Sequence, residues 1–242
     1  MLNSFVRRCL AAAFLLAVAV GASAAPPAEA LRRAAPEVNP KALKAALSAL
    51  ACAESAGMAP ARHLALIDYS LPSTRRRLWV FDLEKRKLLF RELVAHGRNS
   101  GDNLANRFSN DQDSLTSSLG PFRTLEAYDG RNGYSLRMAG LEPGVNDRAY
   151  ERALVIHGAQ YVNARLAGKQ GRLGRSWGCP AVRPAVAQKL IDALKDGQFV
   201  FAWYPDPAWA GAQGYAQCPL TSGEPPAEPA ASLAVNEPPL AP

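Results

Sequence analysis

Two side chains that can act as nucleophiles lie close together in the segment GRLGRSWGCP, residues 171–180. Residues 174–178, GRSWG, have the G-x-S-x-G pattern of a serine hydrolase nucleophile elbow, with Ser176 at its centre. Cys179 follows directly, and a thiolate is a strong nucleophile near neutral pH. The chemistry of this segment therefore depends on which of the two side chains has a base beside it.

The surroundings of Ser176 do not fit a serine hydrolase. The nucleophile elbow joins a buried strand to a helix, and its histidine follows the serine in the chain. The stretch NARLAGKQGRLGR before Ser176 has no buried-strand pattern, and His63, His96 and His157 all precede it. A metal site is also disfavoured, because the chain has no C-x-x-C, no H-x-x-x-H and no cluster of acidic residues. We therefore expect no metal and no cofactor.

Cys179 acting with His157 fits better. His157 ends the apolar run ALVIH and is followed by Gly158, so its ring can lie at the edge of a sheet. An imidazole near a thiol accepts the thiol proton and later returns it to a leaving amine. The amides around Gly178 and Cys179 are candidates for an oxyanion hole. The alternative, a buried structural cysteine beside a core histidine, is weakened because Arg, Ser, Trp, Gly and Pro surround Cys179.

The remaining sequence predicts a mainly β domain with a few helices. Asn39 and Pro40 are typical of a helix start, and spaced apolar residues extend this helix to about Ser55. Pro184 begins a second helix that stops near Gly197. The polar segment 98–118 is long for a connection, which is typical of a functional loop. Strands are predicted for HLALIDYS, RLWVFDL, KLLFRELVAHG, GPFRTLEAY, YSLRMAGL, RALVIHGAQYV and QFVFAWY.

Composition divides the chain into four parts. Residues 1–24 combine two arginines, an apolar run and small residues at 22 and 24, which predicts a secretory signal peptide. Residues 25–38 are rich in Ala and Pro and are interpreted as a linker. Residues 39–218 form the predicted catalytic domain, and residues 219–242 a predicted disordered tail rich in Pro and Ala. The apolar run is short for a membrane span, so we expect an exported protein, periplasmic or in the cell envelope, with no span after cleavage.

Charge and export also limit the partners. The formal charge falls from +7 to +5 without residues 1–24, because that segment carries Arg7 and Arg8 and no acidic residue. A modest positive excess favours an anionic surface such as a cell wall. Nucleic acid is a poor candidate, since export removes it and no basic run alternates with aromatic residues.

Cysteine content adds a constraint. Without residues 1–24 the chain keeps Cys52, Cys179 and Cys218, an odd number in an oxidising compartment. Two of them can pair. We predict a Cys52–Cys218 disulfide that ties the first predicted helix to the C-terminal segment, with Cys179 remaining a thiol.

The residues around His157 and Cys179 resemble a known catalytic signature. VIHG followed by GRSWGCPAV is similar to the L,D-transpeptidase (YkuD-like) signature, in which His-Gly precedes Ser-x-Gly-Cys. SSLGPFRT, residues 117–124, resembles the segment ahead of that signature. The wider pattern, spanning about residues 64–182, is similar to the murein L,D-transpeptidase subgroup. The resemblance implies a β-rich catalytic domain in which Cys179 is the nucleophile and His157 the general base and acid. Ser176 and Gly178 would shape the loop around the sulfur.

Three further residues are candidate substrate contacts. Many members of the wider superfamily place Arg or Asn two residues after the cysteine, where this chain has Ala181. Arg183 either replaces that residue or is a solvated cap before the helix at Pro184. His96 repeats the His-Gly pair, so it either lines the cleft or is itself the base. Asn110 lies in the polar loop as a candidate cleft residue.

The resemblance implies acyl transfer on peptidoglycan stem peptides. Cys179 would form a thioester with the third residue of one stem, and an amine of a second stem would resolve it into a 3→3 cross-link. An L,D-carboxypeptidase or stem-peptide hydrolase would use the same site with water as acceptor. A non-catalytic wall-binding module is the alternative from another class. The oligomeric state stays open.

Overall fold

The computed structural model describes residues 27–206 together with Trp209, Cys218 and Thr221. The predicted signal peptide, residues 1–24, and all of the predicted tail except Thr221 lie outside the described residues. Among the residues that are described, no helix is both long and apolar enough to cross a membrane.

Eight strands in the described part form one sheet, which confirms the mainly β fold class. Its order is β3-β2-β1-β8-β4-β5-β6-β7. The β1–β8 and β6–β7 pairs are parallel and the remaining pairs are antiparallel. The strands are β1 (His63–Asp68), β2 (Leu78–Asp82), β3 (Lys87–Glu92), β4 (Gly120–Gly130), β5 (Gly133–Gly140), β6 (Val155–Gly158), β7 (Ala181–Val182) and β8 (Phe199–Trp203).

The two outer strands of this sheet are linked, so the sheet is nearly closed. The chain continues past β3 to Ala95, whose N–H donates to the carbonyl of Ala181 in β7 at 2.9 Å. Shortly afterwards Gly97 forms a parallel bridge with Ser176. The start of the polar loop is thereby fixed beside the segment that contains Cys179.

Four helices in the described residues flank the sheet: α1 (Pro27–Ala34), α2 (Pro40–Ser55), α3 (Ala164–Gln170) and α4 (Pro184–Leu194). Helix α2 begins as predicted, because the Asn39 side chain accepts a hydrogen bond from the amide of Lys41 at 2.9 Å and Pro40 occupies the first turn. Helices α2 and α4 both contact the central strands β1 and β4. Every residue of β2 and β8 is buried, which explains why LWVFD and FVFAW are almost continuously apolar.

The linker interpretation of residues 25–38 is wrong for most of that segment. Helix α1 occupies Pro27–Ala34, and Leu31, Ala35 and Val38 are buried in the main core. Proline is tolerated in the first turn of a helix, so the Ala/Pro composition concealed an amphipathic segment. Helix α3 was not predicted either; its apolar face is narrow, with Ala167 as its buried residue.

The predicted disulfide is confirmed. Cys52 on α2 is bonded to Cys218, and Cys179 is buried outside this bridge. Two more contacts secure the same C-terminal segment. Trp209 Nε1 donates to Glu142 Oε2 at 3.3 Å, and the amide of Thr221 donates to the Leu141 carbonyl at 3.0 Å.

Candidate active site

Strands β6 and β7 bring the two predicted reactive residues onto adjacent segments. Their parallel register places His157 beside Ala181 and Gly158 beside Val182. Cys179 precedes Ala181 by two positions, so it enters the sheet next to the end of β6. A Cβ on Gly158 would lie 2.9 Å from the Ala187 side chain and 3.4 Å from Pro184 Cα. Glycine is therefore needed at this position for α4 to pack closely behind His157.

The sulfur of Cys179 contacts backbone groups of the segment that leads into β6. Sγ accepts a hydrogen bond from the Val155 amide at 3.5 Å and donates to the Ala153 carbonyl at 3.8 Å. The amide contact stabilises a thiolate, whereas the carbonyl contact stabilises a thiol. Cys179 is 6% exposed and His157 is 4% exposed, so the surroundings of both residues are largely dry.

The hydroxyl of Ser176 holds the turn before Cys179. Its Oγ donates to the Cys179 carbonyl at 2.6 Å and accepts from the Gly178 amide at 3.1 Å. This geometry agrees with the loop-shaping role expected for Ser176. It also means that the Gly178 amide is engaged inside the loop, so the expectation that this amide serves an oxyanion hole is wrong for the observed arrangement.

Gly178 is the point where the cysteine loop meets the polar loop. Its φ of +129° is unfavourable for residues with a Cβ. A Cβ there would lie 2.7 Å from the Thr116 carbonyl oxygen and 2.9 Å from Leu154 Cδ2. Its own carbonyl accepts from Ser117 Oγ at 3.0 Å, and the same Oγ accepts from the Gly97 amide at 3.0 Å. Ser117 thus joins three chain segments behind the cysteine.

The imidazole of His157 is held in one tautomer. Its Nδ1 lies 3.1 Å from the Gly158 carbonyl oxygen, which can only accept, so Nδ1 carries the proton. Nε2 then has the lone pair and can act as a base.

The fold and the geometry agree with the result of sequence comparison. A family model of the L,D-transpeptidase catalytic domain matches residues 34–203. This chain belongs to that family. The matched range begins within α1 and ends with β8, so it includes every described strand. No curated protein matches the chain.

Solved structures with a similar fold have low identity to this L,D-transpeptidase domain. An L,D-transpeptidase from Mycobacterium smegmatis has 15% identity and a TM-score of 0.39, with 60% of this chain and 59% of that chain covered. The helical cell shape determining protein Pgp2 from Campylobacter jejuni has 13% identity and a TM-score of 0.39, with coverages of 70% and 60%. An L,D-transpeptidase from Stackebrandtia nassauensis has 12% identity and a TM-score of 0.36, with coverages of 74% and 77%. At these TM-scores none of the three informs substrate or mechanism.

The expectation that His96 contacts substrate or acts as the base is wrong for this L,D-transpeptidase domain. His96 is 0% exposed. Its Nδ1 lies 2.7 Å from Arg77 Nη2 and its Nε2 lies 3.3 Å from the Gly101 carbonyl. Burial first, and then the charge of Arg77, lower its pKa to about 4. His96 is thus a neutral structural residue behind the loop.

The two other candidate contacts are also engaged within the protein. Nη2 and Nε of Arg183 donate to the two carboxylate oxygens of Glu92, at 2.7 and 2.9 Å. Glu92 is buried, whereas the Arg183 side chain is 33% exposed and Arg183 is the N-cap residue of α4, so the guanidinium is an ion-pair partner at the surface. Asn110 donates to Asp147 Oδ1 at 2.7 Å and accepts from the Arg148 amide at 3.2 Å. It joins the polar loop to the segment after β5.

A groove of about 370 Å³ opens between the first turns of α3 and α4. Its lining includes Gln160, Asn163, Arg165 and Arg183 but neither Cys179 nor His157. Among the described residues there is no group of three or more His, Cys, Asp or Glu side chains that could hold a metal ion.

Sequence reasoning assigned no role to two residues that shape the site. Ser117 lies in the quoted segment SSLGPFRT, and Arg152 lies just before β6. Arg152 bonds four acceptors in residues 109–118. Ser117 is the first residue of a segment that resembles the family pattern, and Arg152 lies three residues before VIHG; this position beside a motif was the signal available from sequence.

Proposed function

We propose that this protein is an exported cysteine acyltransferase that forms 3→3 cross-links between peptidoglycan stem peptides. The observation that carries the proposal is the parallel β6–β7 register. It places His157 beside Ala181, two residues after Cys179. A cysteine and a histidine on adjacent segments, in dry surroundings, form the arrangement that nucleophilic acyl transfer requires. Membership of the L,D-transpeptidase catalytic domain family supports the substrate class.

In the first half-reaction Nε2 of His157 takes the proton of the Cys179 thiol, and the resulting thiolate attacks the carbonyl carbon of the third stem residue. The tetrahedral intermediate collapses, the bond to the fourth residue breaks, and His157 gives a proton to the departing D-alanine amine. The product is a thioester on Cys179. In the second half-reaction a side-chain amine of another stem loses a proton to His157 and attacks the thioester carbonyl. The amide forms, and the Cys179 thiolate is released.

The proposal of export has two supports. The Cys52–Cys218 disulfide is characteristic of an oxidising compartment. The charged start, apolar run and small residues of positions 1–24 have the composition of a secretory signal peptide.

Product analysis tests the function. Purified protein is incubated with disaccharide-tetrapeptide muropeptides, and the products are separated and weighed by mass spectrometry. We expect cross-linked dimers that have lost one D-alanine, no dimers with Cys179→Ala, and a fall of about 100-fold or more with His157→Gln. His63→Gln, at the partly exposed start of β1, is the matched control and should retain activity.

Two outcomes would contradict this proposal. Shortened monomers without dimers would identify an L,D-carboxypeptidase in which water is the acceptor. Full activity in Cys179→Ala would exclude the cysteine mechanism. A carbapenem adduct on the intact wild-type protein, absent from Cys179→Ala, would give an independent measure of nucleophilicity.

A further inference from the structure

Both terminal nitrogens of the Arg152 guanidinium donate hydrogen bonds to the polar loop. Nη1 donates to the Ser109 carbonyl at 2.7 Å and to Ser118 Oγ at 2.5 Å. Nη2 donates to Ser114 Oγ at 3.0 Å and to the Thr116 carbonyl at 2.8 Å. Fixing a long side chain with four bonds costs conformational entropy, and the charge has also lost much of its water. A role beyond surface solvation must offset these costs.

The backbone that follows Arg152 contacts the nucleophile. Ala153, the next residue, accepts from Cys179 Sγ at 3.8 Å, and Val155 donates to it at 3.5 Å. The Thr116 carbonyl that accepts from Arg152 also lies against Gly178, at 2.7 Å from a Cβ built there. Arg152 and Cys179 therefore share neighbours on two sides.

Arg152 has no carboxylate partner in the part of the chain that the structure describes. Its four acceptors are two carbonyls and two hydroxyls, all neutral, and it takes part in none of the ion pairs among the described residues. Burial lowers the pKa of Arg152, and the negative charge of Cys179 is the strongest of the effects that raise it, ahead of Asp111 and Asp113. An arginine keeps its charge in proteins, so the thiolate receives the reciprocal stabilisation.

We propose that Arg152 is a positioning residue for the acyl transfer proposed above: it holds Cys179 in the thiolate form while fixing residues 109–118 against the cysteine loop. Many members of the superfamily have Arg or Asn at the position of Ala181. In this chain Arg152, from the segment before β6, supplies a cation instead. Arg183 is directed to another partner, since its Nε and Nη2 both donate to the carboxylate of Glu92.

Other titratable groups lie near the cysteine loop and must be distinguished from Arg152. Tyr69 is buried, and the charge of Cys179 contributes to raising its pKa, after burial as the largest cause. His157 lies on the adjacent strand. Arg148 lowers the pKa of Arg152 by repulsion. Among Tyr69, His157, Arg148 and Arg152, it is Arg152 that combines a permanent positive charge with a hydrogen bond to the Thr116 carbonyl beside the cysteine loop.

The pH dependence of Cys179 alkylation tests the proposal directly. Full-chain protein reacts with iodoacetamide from pH 5 to 9, and the rate of adduct formation on Cys179 is followed by mass spectrometry. The midpoint of the rate profile reports ionisation, whereas the plateau reports access. We expect Arg152→Gln to raise the midpoint by about one pH unit. Arg152→Lys should restore most of the shift because it keeps the charge, and Arg148→Gln is the matched control with an unchanged midpoint.

A second variant leaves Arg152 itself unchanged. Nη2 of Arg152 donates to the hydroxyl of Ser114 at 3.0 Å, and Ser114→Asp replaces this hydroxyl with a carboxylate. The new negative charge competes with the Cys179 thiolate for Arg152. We expect the midpoint to rise, whereas Gln112→Asp, with the same charge change on an exposed position, should leave it in place. This pair decides the question if Arg152→Gln does not fold.

Two results would overturn the proposal: a wild-type midpoint in folded Arg152→Gln and in Ser114→Asp, or an equal shift in Arg148→Gln. The alkylation assay contains no peptidoglycan. The role of Arg152 can therefore be refuted in a protein that still forms cross-links, or supported in a protein that forms none. The two proposals are thus tested separately.

Discussion

Arg77 and His96 form a buried polar pair behind the cysteine loop. Arg77 is 0% exposed, donates to the carbonyls of Val94 and Leu71, and lies over the Tyr69 ring with its Cζ 5.1 Å from the ring centroid. Burial lowers the pKa of Arg77 to about 10. Because a guanidinium only donates, Nδ1 of His96 accepts and the imidazole must be neutral. Protonation of His96 would put two cations against each other in the core.

This pair predicts a specific acid sensitivity. The pKa of His96 is about 4 when folded and close to 6.5 when unfolded, so the unfolded chain binds more protons between these values. The contribution of neutral His96 to the free energy of unfolding should be fully present above about pH 6.5. It should fall by about 3 kcal/mol as the pH decreases towards 4. Urea unfolding from pH 7 to pH 4 measures it. His96→Gln, which can keep one acceptor and one donor, should lose this part of the slope, whereas His63→Gln should retain it. Equal slopes in wild type and His96→Gln would refute the assignment.

At the scale of elements, the polar loop after β3 is fixed by interactions along its length. The Phe108 ring lies between those of Tyr69 and Tyr204, with centroid distances of 5.8 and 5.1 Å. Ser117 ties the loop to the Gly178 carbonyl, and Asn110 ties it to the segment after β5. These contacts give the cysteine loop a rigid wall, which an active site needs for precise positioning.

The contact between the two loops predicts the effect of adding one methyl group. Gly178→Ala combines a left-handed backbone with a clash against the Thr116 carbonyl, so we expect a loss of about 2 kcal/mol or more in urea unfolding. Transpeptidation should fall with it. Gly168→Ala is the matched control, since its Cβ would meet nothing within 4 Å and alanine favours a helix. A stability change in Gly178→Ala no larger than in the control would show that the loops do not meet as described.

At the scale of the whole molecule, Trp209, Cys218 and Thr221 each contact a distant part of the fold. The Cys52–Cys218 bridge spans 166 residues. The neighbouring contacts to Leu141 and Glu142 fix the start of the segment that ends at Val155, whose amide bonds the Cys179 sulfur. The disulfide links α2 to Cys218, and the contacts of Trp209 and Thr221 link the same end of the chain to the segment that leads to the proposed active site.

Removing the bridge should cost much of the stability. In the chain-entropy description a loop of 166 residues gives about 5 kcal/mol, an upper value for this bond. We expect Cys52→Ala/Cys218→Ala to lose about 2–5 kcal/mol in urea unfolding, with Cys179 still reacting with a carbapenem. Wild type treated with a reductant should match the double variant. If the reduced wild type and the double variant are as stable as the oxidised protein, the disulfide does not stabilise the fold by restricting the unfolded chain.

Local patterns were enough for many of the elements. Asn39 and Pro40 gave the start of α2, and Pro184 gave the start of α4, because caps and first turns depend on neighbouring residues. Strands of alternating or continuous apolar residues were recognised for the same reason. Helix α1 was missed because its Ala/Pro composition resembles a linker, and its burial depends on the distant core.

By itself the sequence determined the fold class, the family and the disulfide partners. It also predicted that Cys179 and His157 react as a pair. Only the tertiary structure decided that Arg183 binds Glu92, that His96 is buried against Arg77, and that Arg152 reaches the loop beside Cys179. The physical reason is distance along the chain. Motifs and caps involve neighbours, whereas a long polar side chain finds its partner only after packing has brought remote segments together and removed their water.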